Sequence, residues 1–240
     1  MTAIRAIDLP TDPAEAVRLQ ERLAPRVETC APPGFAPRTA TGLDVAYAPR
    51  TDRGSDTGSD IESDIAVAAA VTVELDSGRE TEQATAVGAA RFPYVTGLFA
   101  FRELPVLLGA LDALGQPVEL LVADGHGIAH PRRFGLASHL GVVTGLPAIG
   151  VAKTPPGEFE PPGPERGATS PLPLDGEQVG VALRTRAGAK PVFVSVGHRI
   201  DLASACRFVL ALANSFRLPE PTRLADQRCR RALRDLRNEA

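Results

Sequence analysis

A short apolar segment, VELLVA at positions 118–123, runs directly into Asp124 and Gly125. An apolar run of this length that ends in a turn signal is typical of a strand buried on both faces of a sheet. Such a strand needs a cover on each face. Segments with helical spacing of apolar residues lie before it, at 101–114, and after it, at 133–144. The sequence therefore predicts an α/β domain with a central sheet between helices.

The order of the other segments predicts a mixed sheet. Three strands come first and form an antiparallel meander, because Asp76-Ser77-Gly78 supplies a turn between the second and the third. Helix, strand, helix and strand follow, and this order is the ribonuclease H-like arrangement. The predicted strands beyond the central one are 41–48, 65–75, 80–90, 147–152, 179–185 and 191–196, and the other predicted helices are 12–24, 201–217 and 223–236.

The sequence contains no internal repeat and no linker between two cores, so residues 1–240 are expected to form one domain. A polar, low-complexity segment at 50–64 and a Pro/Gly-rich segment at 155–173 are expected to be loop insertions within it. Pro105 falls in the first turn of the predicted helix 101–114, where proline is tolerated.

The composition excludes several classes of protein. Three cysteines, Cys30, Cys206 and Cys229, form no C-x-x-C pair, which argues against a disulfide framework and a cysteine zinc site. No apolar run has signal-peptide or membrane-spanning character, so a cytoplasmic protein without a membrane partner is expected. The net charge of −3 excludes a globally basic nucleic-acid coat protein. The seven arginines of 215–240 fit either a solvated helix or a phosphate-facing one.

Four charged residues are candidates for catalysis. Asp44 lies in an apolar strand, where a carboxylate is costly unless it is paired or bound to a cation, although a solvent-facing position would also explain it. Asp124 ends the central strand, where open sheets place ligands, although Asp-Gly is also a common turn. Glu103 suits the first turn of its helix but would complete a set of three carboxylates suited to Mg²⁺. Lys153 follows a strand and is either a phosphate ligand or a surface lysine.

Two loops are unusually rich in functional residue types. The segment 124–133, DGHGIAHPRR, holds two histidines, two glycines and two arginines. A zinc site made of His126 and His130 is an alternative use of it, but Gly127 and Pro131 disfavour the helix that such a pair needs.

The second loop holds Pro93, Tyr94 and Val95, which form a stiff aromatic tip. The tip is either a buried anchor or a wedge pressed between nucleobases.

Several segments of the sequence resemble motifs of the endonuclease V family, the deoxyinosine 3′-endonucleases. The similar segments are GLDVAY, PYVTGLFAFRE, DGHGIAHPRRFGLASHLG, GVAK, VGHRI and LPEPTRLAD, which run in this order from about residue 40 to Asp226. The resemblance implies a ribonuclease H-like fold and Mg²⁺-dependent hydrolysis, with Mn²⁺ as a substitute ion. It also implies cleavage at the second phosphodiester bond 3′ to a deaminated purine, which leaves a 3′-hydroxyl and a 5′-phosphate.

The resemblance implies roles for five catalytic residues. Asp44 and Asp124 match the family's metal-binding aspartates, and Glu103 matches the third acid of the site. Lys153 matches the catalytic lysine. Asp226 matches a position, Asp or His in the family, that supports the metal or the attacking water.

The resemblance also implies residues that contact the nucleic acid. Tyr94, between Pro93 and Val95, matches the wedge that fills the space left by the displaced base. Here the wedge reads Pro-Tyr-Val-Thr, with Thr96 in place of the family's second proline. The residues that match the base pocket are Gly97, Phe99, Gly125 and Gly127. Because arginine suits phosphate, the predicted phosphate contacts are His130, Arg132 and Arg133.

These observations predict a monomeric DNA repair nuclease that acts on inosine-containing DNA. An inosine-directed ribonuclease stays open as an alternative, since contacts to the 2′-hydroxyl would distinguish the two and a sequence does not reveal them. A non-catalytic nucleic-acid-binding module on the same fold is the other alternative, and the intact set of carboxylates argues against it.

Overall fold

The computed structural model describes residues 9–48 and 64–239 and contains one eight-stranded sheet in the order β3-β2-β1-β4-β5-β8-β7-β6. The strands are β1 Thr39–Ala48, β2 Asp64–Glu74, β3 Glu80–Ala90, β4 Leu121–Ala123, β5 Ala148–Ala152, β6 Thr169–Leu174, β7 Glu177–Leu183 and β8 Val192–His198. The helices are α1 Pro13–Leu23, α2 Phe99–Asp112, α3 Leu136–Thr144, α4 Leu202–Leu212 and α5 Glu220–Glu239, and a 3-10 turn at Ala24–Arg26 follows α1.

The strand directions confirm the predicted mixed sheet. β1, β2 and β3 form the antiparallel meander, whereas β4 is parallel to β1 and β5 is parallel to β4. β8 then pairs antiparallel with β5, and β7 with both β8 and β6. This is the ribonuclease H-like arrangement that the order of elements predicts.

Helices cover both faces of the sheet, because alternate residues of each strand point to opposite faces. In β4, Leu121 and Ala123 pack into the cluster that contains α2 and α3, while Val122 packs into the cluster of α4 and α5. All three residues are buried, which confirms a central strand with apolar cover on each side. Among the described residues, no helix is both long and apolar enough to cross a membrane.

Several boundaries differ from the predictions. α4 ends at Leu212 and not at 217, and α5 begins at Glu220 and not at 223. β4 begins at Leu121 and not at 118. The side-chain carboxylate of Glu119 instead accepts hydrogen bonds from the backbone N–H groups of Arg38 and Thr39. α3 begins at Leu136 and not at 133, because Arg133 has a φ of 54°, outside the helical region.

α2 begins at Phe99, two residues earlier than predicted, so Pro105 lies in its second turn and not in its first. At that position the proline leaves the carbonyl of Phe101 without its helical N–H donor.

A strand was also missed. The end of the predicted loop 155–173 forms β6, which pairs with β7 at the edge of the sheet. Pro171 and Pro173 argue against a central strand but are compatible with an outermost one. Apart from Asp64, which opens β2, the predicted loop 50–64 lies outside the described residues.

Candidate active site

Neighbouring parallel strands bring together three of the predicted site residues. The register of β1 and β4 places Leu43 opposite Ala123, so the next residues, Asp44 and Asp124, lie side by side at the carboxyl end of β4. Lys153 follows the last residue of β5 directly. The carboxyl ends of strands are where open α/β sheets hold their ligands, and the structure brings these three predicted residues to that edge.

Lys153 and Asp124 form an ion pair in which the ammonium Nζ donates to the carboxylate Oδ2. The Lys153 side chain is 44% exposed and the Asp124 side chain 18% exposed. Burial lowers the pKa of Lys153, but the hydrogen bond and the charge of Asp124 raise it by more, so the pKa lies above its ordinary value. Lys153 is therefore a firmly charged cation at the mouth of the site.

Asp44 lies among groups of its own sign. Its pKa is raised to about 7, first by burial and then by the charge of Asp124, against the opposing effect of Lys153. A hydrogen bond between the carboxyl groups of Asp44 and Asp226 raises it too. Both burial and neighbouring negative charge thus disfavour the ionised form of Asp44.

Asp226 reaches the site from α5. This helix lies directly on β1 at Gly42, where a Cβ atom would lie only 2.1 Å from the carbonyl carbon of Pro221. Glycine therefore permits the close approach that brings Asp226 beside Asp44. The carboxylate of Asp226 also accepts a hydrogen bond from Arg230 Nε at 2.6 Å.

Glu103 projects from α2 and is buried. Burial raises its pKa to about 8, and the charges of Asp44 and Asp124 act in the same direction, whereas a hydrogen bond from Tyr47 lowers it. The Tyr47 hydroxyl donates to Glu103 Oε1 at 3.1 Å. Glu103 thus belongs electrostatically to the same group of acids as the two aspartates.

The chemistry of this group fits a hard divalent cation. Its donors are carboxylate oxygens, which Mg²⁺ and Mn²⁺ prefer. The pKa values of Asp44 and Glu103 are raised first by burial and then by the charges of neighbouring acids, which a cation would offset. Within the described part of the chain, however, no three carboxylate, imidazole or thiolate groups converge on one ion-sized position. The carboxylate of Asp124 is instead paired with Lys153, and that of Asp226 with Arg230.

Asp44, Glu103 and Asp124 border an open cavity of about 540 Å³. Gly97, Phe99 and Gly125, three of the four predicted base-pocket residues, line it. Gly127 is not among the lining residues and lies against β8, where a Cβ would be 1.9 Å from the carbonyl oxygen of Val196. The cavity therefore joins an apolar and backbone-lined wall to the charged edge of the sheet.

The loop between β3 and α2 carries the predicted wedge. Tyr94 is 78% exposed, which excludes the buried-anchor alternative, and its ring is in T-shaped contact with that of Phe99, at 6.2 Å between centroids. Pro93 is also exposed, and Val95 accepts a hydrogen bond at its carbonyl from the Leu98 N–H. An exposed ring on a turned loop beside the cavity is compatible with a wedge.

The three predicted phosphate contacts have protein partners. His130 is buried, its Nε2 lies 3.0 Å from the Gly97 carbonyl oxygen, and its Nδ1 accepts from the Arg132 N–H. The Arg133 guanidinium bonds to the Leu174 carbonyl oxygen. Since both nitrogens of His130 are engaged and the segment is not helical, the structure offers no zinc site of the His126 and His130 type.

Two polar residues near the site were not predicted. Tyr47 closes the motif GLDVAY, but nothing in the motif indicates its bond to Glu103. Gln20 lies four residues after Ala16 on the buried face of α1 and lines the cavity. A glutamine at a position where helical spacing predicts an apolar residue is the signal that would have identified it.

The endonuclease V family model matches residues 21–227. Endonuclease V of Nocardia farcinica is 50% identical over 230 residues, which cover 95% of this chain and 96% of that protein. The crystal structure of endonuclease V from Streptomyces avermitilis has a TM-score of 0.84 and 51% identity, over 95% of this chain and 96% of that one. The crystal structure of Ciona intestinalis endonuclease V, in complex with a 24-mer DNA containing an inosine followed by a ribo-adenosine, has a TM-score of 0.75 and 26% identity, over 93% and 98% of the two chains.

Proposed function

The chain belongs to the endonuclease V family, and we propose that it is a repair endonuclease directed at deoxyinosine in DNA. One observation carries the proposal: Asp44, Asp124 and Lys153 meet at the edge of a cavity whose wall is formed by Gly97 and Phe99. The complex of the Ciona intestinalis relative with inosine-containing DNA supports the same substrate.

Asp44, Asp124 and Glu103 would hold the divalent cation, Mg²⁺ or in its place Mn²⁺. When bound, the ion supplies Lewis-acid stabilisation for the charge of the phosphodiester under attack. Asp226 has its carboxyl group hydrogen-bonded to that of Asp44, and at this position it orients the attacking water and receives its proton.

Lys153 offsets the charge that develops on the scissile phosphate, because a fixed ammonium in a partly buried site stabilises such charge strongly. The oxygen of water bonds to phosphorus and the bond between phosphorus and the 3′ oxygen breaks. The leaving oxygen takes up a proton, so the products are a 3′-hydroxyl and a 5′-phosphate. The bond proposed to break is the second phosphodiester 3′ to the inosine.

Specificity requires the base to leave the duplex and enter the cavity. Hypoxanthine carries a 6-oxo group and lacks the 2-amino group of guanine. Backbone N–H groups near Gly97 and Gly125 select the oxo group, and a close wall excludes the amino group. Tyr94 fills the space that the flipped base leaves, and Arg133, 27% exposed, is a predicted phosphate contact that solvent reaches.

An inosine-directed ribonuclease is the second candidate function. The nucleic acid bound to the Ciona intestinalis relative has a ribonucleotide directly after the inosine, which favours testing a 2′-hydroxyl at that position. We further propose that the protein works as a monomer in the cytoplasm.

Cleavage of a 5′-labelled duplex with a single inosine tests the function. Wild-type protein with Mg²⁺ is expected to cut once, at the second bond 3′ to inosine, and EDTA is expected to stop it. Asp124→Asn keeps the size of the side chain but removes its charge, so we expect a loss of at least about 10³-fold in single-turnover rate with an unchanged melting temperature. Asp76→Asn, at an exposed turn, is the matched control and should cleave normally.

Parallel substrates with guanine or adenine at the same position, and with inosine in RNA, define the substrate class. A wild-type protein that cuts all DNA duplexes equally contradicts the inosine-directed function. An Asp124→Asn variant that cleaves at the wild-type rate removes that residue from the catalytic set.

A further inference from the structure

One backbone oxygen beside the cavity is held by an unusual number of donors. The carbonyl oxygen of Gly97 accepts hydrogen bonds from Gln20 Nε2 at 3.0 Å, His130 Nε2 at 3.0 Å and Arg132 Nη2 at 2.8 Å. These donors come from α1 and from the loop after β4, so two distant parts of the chain converge on a single peptide group. The peptide belongs to the loop that carries Tyr94.

Gln20 is the centre of this contact and is 1% exposed. Its amide nitrogen donates to the carbonyl oxygens of both Gly97 and Phe134, at 3.0 Å each, while its Oε1 accepts from Arg132 Nε at 2.6 Å. A rotated amide would place its oxygen against two other oxygens, so the partners allow one orientation. A glutamine buried this completely is costly unless its polar atoms are satisfied, and here each of them is.

His130 is held in one tautomer by the same contact. Its Nδ1 accepts from the backbone N–H of Arg132, so the proton of the neutral ring resides on Nε2, which donates to the Gly97 oxygen. Gly97 itself has a φ of +79°, and a Cβ there would lie 2.9 Å from Arg132 Nη2. The loop therefore fits this contact only with glycine at that position.

We infer that Gln20 is a positioning residue of the nuclease, which fixes the Gly97 wall of the cavity and the root of the Tyr94 loop through Arg132 and His130. The inference rests on the proposed function, because it assigns this wall to the base. It extends the site to a residue just before the segment 21–227 that the family model matches.

Gln20 should act on substrate binding and not on bond cleavage. Asp124 and Lys153 are set by the ends of β4 and β5, and none of the hydrogen bonds of Gln20 reaches them. A loosened wall has to be ordered each time a base enters, which weakens binding. Once the base is bound, Asp124 and Lys153 keep their positions, so the rate of bond cleavage should not change.

The test compares three variants on the single-inosine duplex. Gln20→Leu removes all the hydrogen bonds of the side chain at similar volume, and we expect KM to rise about tenfold with kcat within about threefold of wild type. Gln20→Glu retains an acceptor for Arg132 but loses the donor to Gly97, and should raise KM similarly. Ala14→Gly, at an exposed position of α1, weakens the helix without touching the loop or these hydrogen bonds, and should leave KM within threefold.

Hydrogen exchange of the peptide that covers residues 94–98 is the readout independent of activity. We expect exchange to accelerate about tenfold in Gln20→Leu and not in Ala14→Gly. An unchanged KM in Gln20→Leu, or an equal rise in Ala14→Gly at an equal loss of melting temperature, overturns the inference. If Gln20→Leu does not fold, Gln20→Glu makes the same comparison.

Failure of the proposed function would be seen in a separate measurement, because the wild-type protein would then not cut inosine-containing DNA. In that case the exchange measurement alone decides whether Gln20 holds the loop, and unchanged exchange in the variants overturns the inference.

Discussion

Lys153 is the residue whose identity is most exactly matched to its surroundings. Its ammonium bonds to Asp124, and the charges of Asp44 and Asp226 also raise its pKa. A single compact donor satisfies this position because the acids approach it from neighbouring elements. A planar guanidinium is longer and donates along fixed directions, so it would displace the carboxylates that the ammonium joins.

We therefore expect Lys153→Arg to lose at least about tenfold in single-turnover cleavage rate, although the charge is retained. Lys190→Arg is the matched control, because Lys190 is the other lysine of the chain and is exposed. The measurement is single-turnover cleavage of the inosine duplex at saturating protein. Equal rates for the two variants would return Lys153 to the status of a surface lysine.

The loop between β3 and α2 is the element whose contribution to binding should depend most on whether the DNA is duplex or single-stranded. It presents Tyr94 to solvent beside the cavity, in T-shaped contact with the ring of Phe99. A wedge stabilises the complex only where a partner strand must be held apart. Its contribution should therefore differ between duplex and single-stranded DNA.

We expect Tyr94→Ala to weaken binding to an inosine duplex by about 1–3 kcal/mol, the range for lost base–aromatic stacking, and to weaken binding to single-stranded inosine DNA by less. Tyr94→Phe keeps the ring and should bind both substrates like wild type. Binding titrations beside a melting curve make the comparison. Equal losses on both substrates with an unchanged melting temperature would contradict the wedge and leave a general stacking role.

The elements were predictable from sequence where one local signal dominates. The strands β1 to β3 and the hairpin β7–β8 follow from apolar patterning and turns. Predicted boundaries were wrong where a tertiary contact outweighs the local pattern, as at Glu119, whose carboxylate binds the backbone at the start of β1. β6 was missed because its prolines are a breaker signal in isolation, and its place at the edge of the sheet is a property of the whole fold.

In the whole molecule, the residues of the candidate site also divide into those that a local pattern indicates and those that only tertiary packing brings to the site. Asp124 and Lys153 could be identified because each directly follows a strand, and Asp44 because a carboxylate is costly within an apolar strand. For Gln20 the sequence offers only a polar residue at an apolar position of the helix, and its partners could not be predicted, since Gly97 and Phe134 lie 77 and 114 residues away. Contacts of that range depend on how helices pack on the sheet, which no local pattern encodes.

The interior also contains a group that ties the stability of the fold to pH. His139 is fully buried between the rings of Phe101 and Phe134, and burial lowers its pKa to about 4. The unfolded side chain takes up a proton near pH 6.5. Between these two pH values the unfolded state binds more protons, so stability falls as the pH falls through that window.

We expect His139 to account for about 3 kcal/mol of lost unfolding free energy between pH 6.5 and pH 4. His139→Leu removes this titrating group, so the variant should lose about 3 kcal/mol less unfolding free energy than wild type between pH 6.5 and pH 4. Urea unfolding of both proteins at several pH values measures the difference. Parallel curves for the two proteins would show that another group causes the acid sensitivity.

The outermost strand β6 affects how molecules of this protein meet one another. A free sheet edge offers N–H and C=O groups to which a second chain can add its own strand, and self-association often begins there. Pro171 and Pro173 lack the N–H, and proline within a sheet is accommodated where that group would face away from the neighbouring strand. The edge is therefore a poor template for addition, and the protein should stay dispersed at concentrations at which a fully hydrogen-bonding edge would recruit copies.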